Sequence, residues 1–205
     1  PLGEYDSAKY AYDIERKDLG YAGGKQDQYA ATFGGVNYME FYHDEKTIVN
    51  PLRIKRSYLH ELENNIVLFY TSTSRESAAI IKEQVKNVEA KDKGSIDAMH
   101  HLKEQAVMMK EALLKGELDN LGLILDYGFE QKRKMAQNIS NDLIEKIYKS
   151  AKDAGASGGK ISGAGGGGFM LFYCPGDARY SVIKALETYG GKVMKFQFVD
   201  YGLTT

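Results

Sequence analysis

The sequence predicts an α+β chain: a ferredoxin-like split βαβ sandwich with helices inserted in its first crossover, preceded by part of a second unit. Three observations carry that expectation. Ile66-Val67-Leu68-Phe69-Tyr70 is apolar on both faces, as a strand inside a sheet must be. From residue 65 onward the periodicities run strand, helices, strand, strand, helix, strand. Glycine crowds two windows beside these elements, residues 20–35 and 155–168, which together hold thirteen of the 22 glycines.

Residues 4–17 read as a helix with Tyr5, Ala8 and Tyr12 on one face and Gly20 as its stop. Gln26 to Phe33 reads as a short helix ended by Gly34-Gly35. Residues 36–42 alternate as a strand, and Ile48 to Ile54 is its partner across a His43–Lys46 turn. Four helices follow the buried strand. Ile81, Val85 and Val88 mark the first, and Met99, Leu102, Ala106, Met109 and Leu113 the second. Leu118, Leu121 and Leu125 open the third; Leu143, Ile147 and Ala151 line the fourth, entered through Ser140 and closed at Gly155. Lys160–Ser162 and Phe169–Tyr173 are strands flanking the second glycine window. A helix from Asp177 to Tyr189 then buries Val182, Leu186 and Tyr189. The last strand alternates Met194, Phe196 and Phe198 against Lys195 and Gln197.

Composition narrows the function classes. With 27 basic and 28 acidic side chains, the net charge of −1 argues against nucleic acid or an anionic membrane as partner. One cysteine, Cys174, excludes a disulfide framework or a cysteine-based zinc site and fits a reducing, cytoplasmic setting. No apolar run reaches the roughly 18 residues of a membrane span. The four histidines show no metal-ligand spacing.

The second glycine window contains a literal G-x-G-x-x-G at Gly163, Gly165 and Gly168. A dinucleotide site needs a helix immediately afterwards, and here a strand follows, so that reading fails on context. The phosphate-binding lysine motif fails as well, because Gly159-Lys160 is followed by Ile161. What remains is a turn between strands, either a plain hairpin or a backbone nest for an anion. Asp27, in the first window, is either a helix-capping aspartate or a base for a bound hydroxyl. Thr71 to Ser77 is either an N-cap segment or a place where hydroxyls and Arg75 meet an anion. Lys132-Arg133-Lys134 reads by itself as a solvated face.

Taken together, Gly24-Lys25-Gln26-Asp27-Gln28 and Lys160-Ile161-Ser162-Gly163-Ala164-Gly165-Gly166-Gly167-Gly168 resemble motifs of the GHMP family of small-molecule kinases. The resemblance covers essentially the whole chain, and Ala22 to Gly35 is most similar to members acting on heptose 7-phosphate. It implies the C-terminal domain of that family from residue 58, and before it the remnant of a ribosomal-protein-S5-like nucleotide-binding domain.

The resemblance further implies ATP- and Mg²⁺-dependent phosphoryl transfer to the anomeric hydroxyl of a sugar phosphate. Asp27 carries over as the group that accepts or orients the hydroxyl proton, with Gly24 and Gln26 beside the substrate. Gly163, Ala164, Gly165, Gly166 and Gly167 carry over as the turn supporting the nucleotide-phosphate region. From charge and position, Arg75, Lys132 and Arg133 are the candidates to meet the substrate's own phosphate. The family's phosphate loop, of the Pro-x-x-x-Gly-Leu-Gly-Ser-Ser-Ala type, is absent from these residues, and most ATP and Mg²⁺ ligands are expected upstream of Pro1. The chain alone is therefore expected to have little kinase activity, and to form homo-oligomers or be complemented by an N-terminal segment. A kinase for another sugar such as fucose, and a non-catalytic small-molecule-binding domain, are the alternatives. Asp27 favours an enzyme over a sensor, which needs no base in that turn.

Overall fold

The computed structural model describes residues 2–73 and 77–204. Its contacts divide the chain into two compact units, Pro1–Ile54 with Gln197–Thr205, and Lys55–Phe196. The sequence reading placed residues 197–205 with the second unit. The structure groups them with the first, because Gly35 N–H donates to the Val199 carbonyl (2.8 Å) and Leu203 N–H to the Ala31 carbonyl (3.1 Å).

In the first unit, α1 (Glu4–Asp13) runs into a single π-turn at Ile14–Asp18, then a loop leads to α2 (Gln26–Phe33). β1 (Asn37–Phe41) and β2 (Thr47–Pro51) form an antiparallel hairpin in which Met39 faces Val49. Ala8, Tyr29 and Val49 make its small core, with Phe33 and Met39 packed on it. Aromatic edges fill the rest: Tyr5 meets Phe33 at 4.9 Å, and Tyr29 meets Phe41 at 6.1 Å between centroids.

The second unit opens with α3 (Arg56–Asn65), for which the sequence reading had no element. Its apolar face is thin: Leu62 is buried and Tyr58 and Leu59 are half-buried, too little periodicity to stand out. β3 (Ile66–Tyr70) follows without a break, then α4 (Ser77–Glu89), α5 (Lys93–Lys115), α6 (Asn120–Arg133) and a 3₁₀ turn at Gln137–Ile139. α7 (Asp142–Asp153), β4 (Gly158–Ile161), β5 (Phe169–Tyr173), α8 (Ala178–Glu187) and β6 (Lys192–Met194) complete it. The sheet order is β4-β5-β3-β6, all antiparallel. Numbered within the sheet that is 2-3-1-4, the split βαβ order, with α4, α5, α6 and α7 in the first crossover.

β3 lies between two strands, with Ile66, Val67 and Phe69 buried and Leu68 and Tyr70 half-buried. Val67 and Phe69 are fully buried in the main core with Ile144, Ile147, Ile161, Phe172, Val182 and Leu186. Two local expectations change. Helix α7 is capped by Asn141, not Ser140: the Asn141 side-chain oxygen accepts from Leu143 and Ile144 N–H, both at 3.1 Å. The last strand stops at Met194. Met194, Phe196 and Phe198 stay half-buried beside exposed Lys195 and Gln197, so the alternation persists after the ladder ends.

Candidate functional site

Asp27 is the second residue of α2, in the first unit. Buried Gln28, Tyr29 and Thr32 fix the inner face of this helix, which leaves Gln26 and Asp27 exposed. Among the described residues the Asp27 carboxylate accepts no hydrogen bond and has no ion-pair partner, and the cap position, Lys25, makes no side-chain cap bond either. Asp27 makes no cap hydrogen bond, yet it stands as the acidic residue in the first turn of α2, where the helix dipole favours a carboxylate.

The segment that delivers Asp27 is held from behind. Arg16, in the π-turn, donates to the carbonyls of Gly24 and Tyr21. Gln28 donates its side-chain amide to Glu15 at 2.8 Å, and Thr32 donates to the Gln28 carbonyl at 2.8 Å. Gly24, Gln26 and Asp27 therefore share one braced loop-to-helix junction. Neither Arg16 nor Glu15 stood out in the sequence; the only sign was their place on the helix just before the glycine window.

The second motif lies in the second unit, as the turn from β4 to β5. Ser162 N–H donates to the Phe169 carbonyl (2.8 Å), closing the hairpin around Gly163–Gly168. The glycines answer to close packing. A Cβ at Gly165 would sit 2.7 Å from the Ile139 carbonyl oxygen, and one at Gly167 would sit 2.6 Å from that of Thr73. Gly166 N–H donates to Ile139 and Gly168 N–H to Thr73, both at 2.8 Å. Asn141 joins in, donating its side-chain amide to the Gly166 carbonyl (3.2 Å) while capping α7. The Thr71 hydroxyl pairs with that of Thr73 (2.9 Å) and reaches the Gly168 carbonyl (3.0 Å). These two threonine hydroxyls support the turn, whereas the sequence reading had offered their segment to an anion or a cap. Arg75 lies outside the described residues.

The basic run separates into distinct roles. Lys132, in the last turn of α6, donates its ammonium to the Gly163 carbonyl. Arg133 turns to Glu145 in a two-pronged pair at 2.8 and 3.0 Å, with its guanidinium stacked 3.8 Å over the Phe129 ring. That spends its planar donors on packing α6 to α7, away from the glycine turn. Lys160, absent from the site residues read in the sequence, stands on β4 three residues before Gly163. Burial and the nearby Lys160 charge push Lys132 down to about 8, and burial lowers Lys160 as well.

Among the described residues no group of three His, Cys, Asp or Glu side chains could hold a metal ion. No described helix is long and apolar enough to cross a membrane.

Residues 109–192 match the family model described as GHMP kinases C terminal. Over those residues the chain is similar to the C-terminal domain of GHMP kinases. Over 203 residues it is 49% identical to the D-glycero-alpha-D-manno-heptose 7-phosphate kinase of Campylobacter jejuni, covering 99% of this chain and 59% of that protein. Among solved structures, a D-glycero-D-manno-heptose 1-phosphate kinase from Bacteriodes thetaiotaomicron superposes with a TM-score of 0.74 at 41% identity. That match covers 98% of this chain and 55% of the other. The bifunctional fucokinase/GDP-fucose pyrophosphorylase of Arabidopsis thaliana is 27% identical over 75% of the chain and 15% of its own length. The chain thus spans less than two thirds of the length of these relatives, and the residues that match the family model lie within its second unit.

Proposed function

We propose that the chain is the C-terminal portion of an ATP-dependent sugar-phosphate kinase that acts on the anomeric hydroxyl of heptose 7-phosphate to give the 1,7-bisphosphate. Asp27 is the base: its carboxylate accepts, or orients, the proton of the attacking hydroxyl. Phosphoryl transfer depends chiefly on positioning and charge stabilisation, and this proton is one of its few covalent demands. Gly24 and Gln26 flank the sugar, and Gly163 to Gly167 support the phosphate region. Of the cations named for the substrate's phosphate, Lys132 stays in the proposal and Arg133 is given to Glu145.

The observation that carries this reading is Asp27 itself. An exposed carboxylate without a partner among the described residues, on a junction braced by Arg16 and Glu15, supports a role in chemistry on a ligand. A small-molecule sensor has no use for it. Residues 1–57 are proposed as the remnant of the nucleotide-binding domain, in a cytoplasmic enzyme that forms homo-oligomers or is complemented by an N-terminal segment. The described side chains build no multi-ligand site for Mg²⁺, so the proton step is derived without it.

Asp27→Asn in the full-length protein is expected to lower kcat about 10²–10⁴-fold, with KM for the sugar phosphate changed less than threefold. An unchanged kcat would overturn the assignment. The likeness to a fucokinase supports a second reading, a kinase for another sugar. Comparing kcat/KM for heptose 7-phosphate and fucose separates the two.

A further inference from the structure

We infer that Glu83, on α4, is a positioning residue for phosphoryl transfer, setting the Gly163–Gly167 turn through the 3₁₀ turn at Gln137–Ile139. Its catalytic weight rests on the kinase reading; its contacts do not. The 3₁₀ turn cannot cap itself, because its N-cap residue is Ala136, whose side chain accepts nothing. Glu83, 54 residues away in sequence, supplies the acceptors. Gln137 N–H donates to its Oε1 at 3.1 Å, and the Asn138 side-chain amide to its Oε2 at 3.3 Å. Just upstream, the Asn87 amide and the Ser95 hydroxyl donate to the Met135 carbonyl at 2.9 and 3.3 Å. Glu83 and Asn87 stand one turn apart on α4, so that helix holds residues 135–138 at both ends.

The next residues are the bed of the glycine turn. Ile139 is fully buried, and its carbonyl accepts Gly166 N–H at 2.8 Å. A Cβ at Gly165 would lie 2.8 Å from the Ile139 Cα, so the two backbones meet without slack. Packing this close passes a displacement on and does not absorb it. Asn141 adds its bond to the Gly166 carbonyl at 3.2 Å. On the turn's other side Gly168 N–H donates to Thr73, which precedes α4 in the chain. A carboxylate that merely pinned a surface loop would leave the glycine turn indifferent to its loss. Here the turn leans on the segment that Glu83 caps, and a misplacement of about 1 Å in a supporting group can cost on the order of 10²-fold in rate.

In the full-length protein, Glu83→Ala is expected to lower kcat/KM at least tenfold, measured well below its melting temperature. Glu83→Gln keeps one acceptor and should recover about half of that loss on a logarithmic scale. Asn138→Ala should cost about threefold by itself and nothing further beside Glu83→Ala, since it acts through that carboxylate. Amide exchange followed by NMR should quicken at least tenfold at Gly166 in Glu83→Ala and stay within twofold in Asp27→Asn. Loss of turnover in Asp27→Asn therefore speaks to the base alone. Arg179→Met controls for general loosening: Arg179 donates to the Asn64 carbonyl at 2.9 Å, at the end of α3. It should lower the melting temperature and leave kcat/KM within twofold. An equal fall in kcat/KM there would overturn the inference, as would an unchanged kcat/KM or an unchanged Gly166 exchange rate in Glu83→Ala. If Glu83→Ala fails to fold, Glu83→Gln and Asn138→Ala carry the same test. A parent that phosphorylates no sugar overturns the kinase reading, and Gly166 exchange then decides the chain of contacts by itself.

Discussion

Arg16 grips the carbonyl oxygen of Gly24 with two N–H groups, Nε and Nη2, each at 3.2 Å. A third contact, Nη1 to the Tyr21 carbonyl at 3.4 Å, spans the other end of the loop. One side chain thus holds both ends of the peptide leading into α2. Arg16→Ala is expected to destabilise the first unit by about 1 kcal/mol, since charge-assisted bonds at an exposed site are partly replaced by water. Arg16→Lys should recover little, because an ammonium lacks the fork. Hydrogen exchange across residues 21–27 reads the outcome: protection should fall in both variants, with α5 and α6 unaffected.

A second expectation concerns Lys132, whose pKa falls from 10.5 to about 8 because burial and Lys160 disfavour its charge. The folded state therefore binds fewer protons than the unfolded chain between those values. The destabilisation is fully present below pH 8 and is relieved as pH rises toward 10.5. Lys132→Met should be the more stable protein at pH 7, by about 1 kcal/mol after allowance for solvent at a half-buried site. Its advantage should shrink from pH 8 to 10. Urea titrations at four pH values compare the two; a constant difference would contradict the assignment.

Gly165 and Gly163 occupy one turn but should tolerate alanine differently. At Gly165 a methyl group meets the backbone of Ile139, with φ at +115°, whereas at Gly163 nothing lies within 4 Å and φ is +71°. Gly165→Ala is expected to cost about 2–3 kcal/mol through overpacking and strain, and Gly163→Ala about 1. Thermal melts of the two variants test the order.

Cys174 is fully buried, and burial pushes its thiol up to about 12. A thiol-disulfide reagent at pH 8 should leave the native protein unmodified for hours and label it stoichiometrically in denaturant. Rapid native labelling would show that the chain opens around β5.

The central strand, the four-helix crossover and the sheet order were all legible, because each rests on periodicity over consecutive residues. Helix α3 was not, since Leu59 and Leu62 alone make too weak a stripe against its polar flanks. The site was legible as motifs and opaque as contacts. Excess glycine could be seen, but its cause is Ile139 and Thr73, which come from other parts of the chain. Lys160 was passed over for a similar reason: whether a lysine has a counter-charge is a property of packing. The basic run Lys132-Arg133-Lys134 looked uniform, yet Arg133 stacks on Phe129 while Lys132 reaches Gly163.

The bond from Leu203 to the Ala31 carbonyl has a consequence for the order of biogenesis. Residues 199–203 are synthesised after the whole of the second unit, so the first unit cannot close until residues 55–196 have been made. Until residues 199–203 emerge, α2 lacks the partners of its last turn, and Asp27 rides on an unfinished helix. The contacts that steady the end of the helix carrying Asp27 are thus among the last that a growing chain can form.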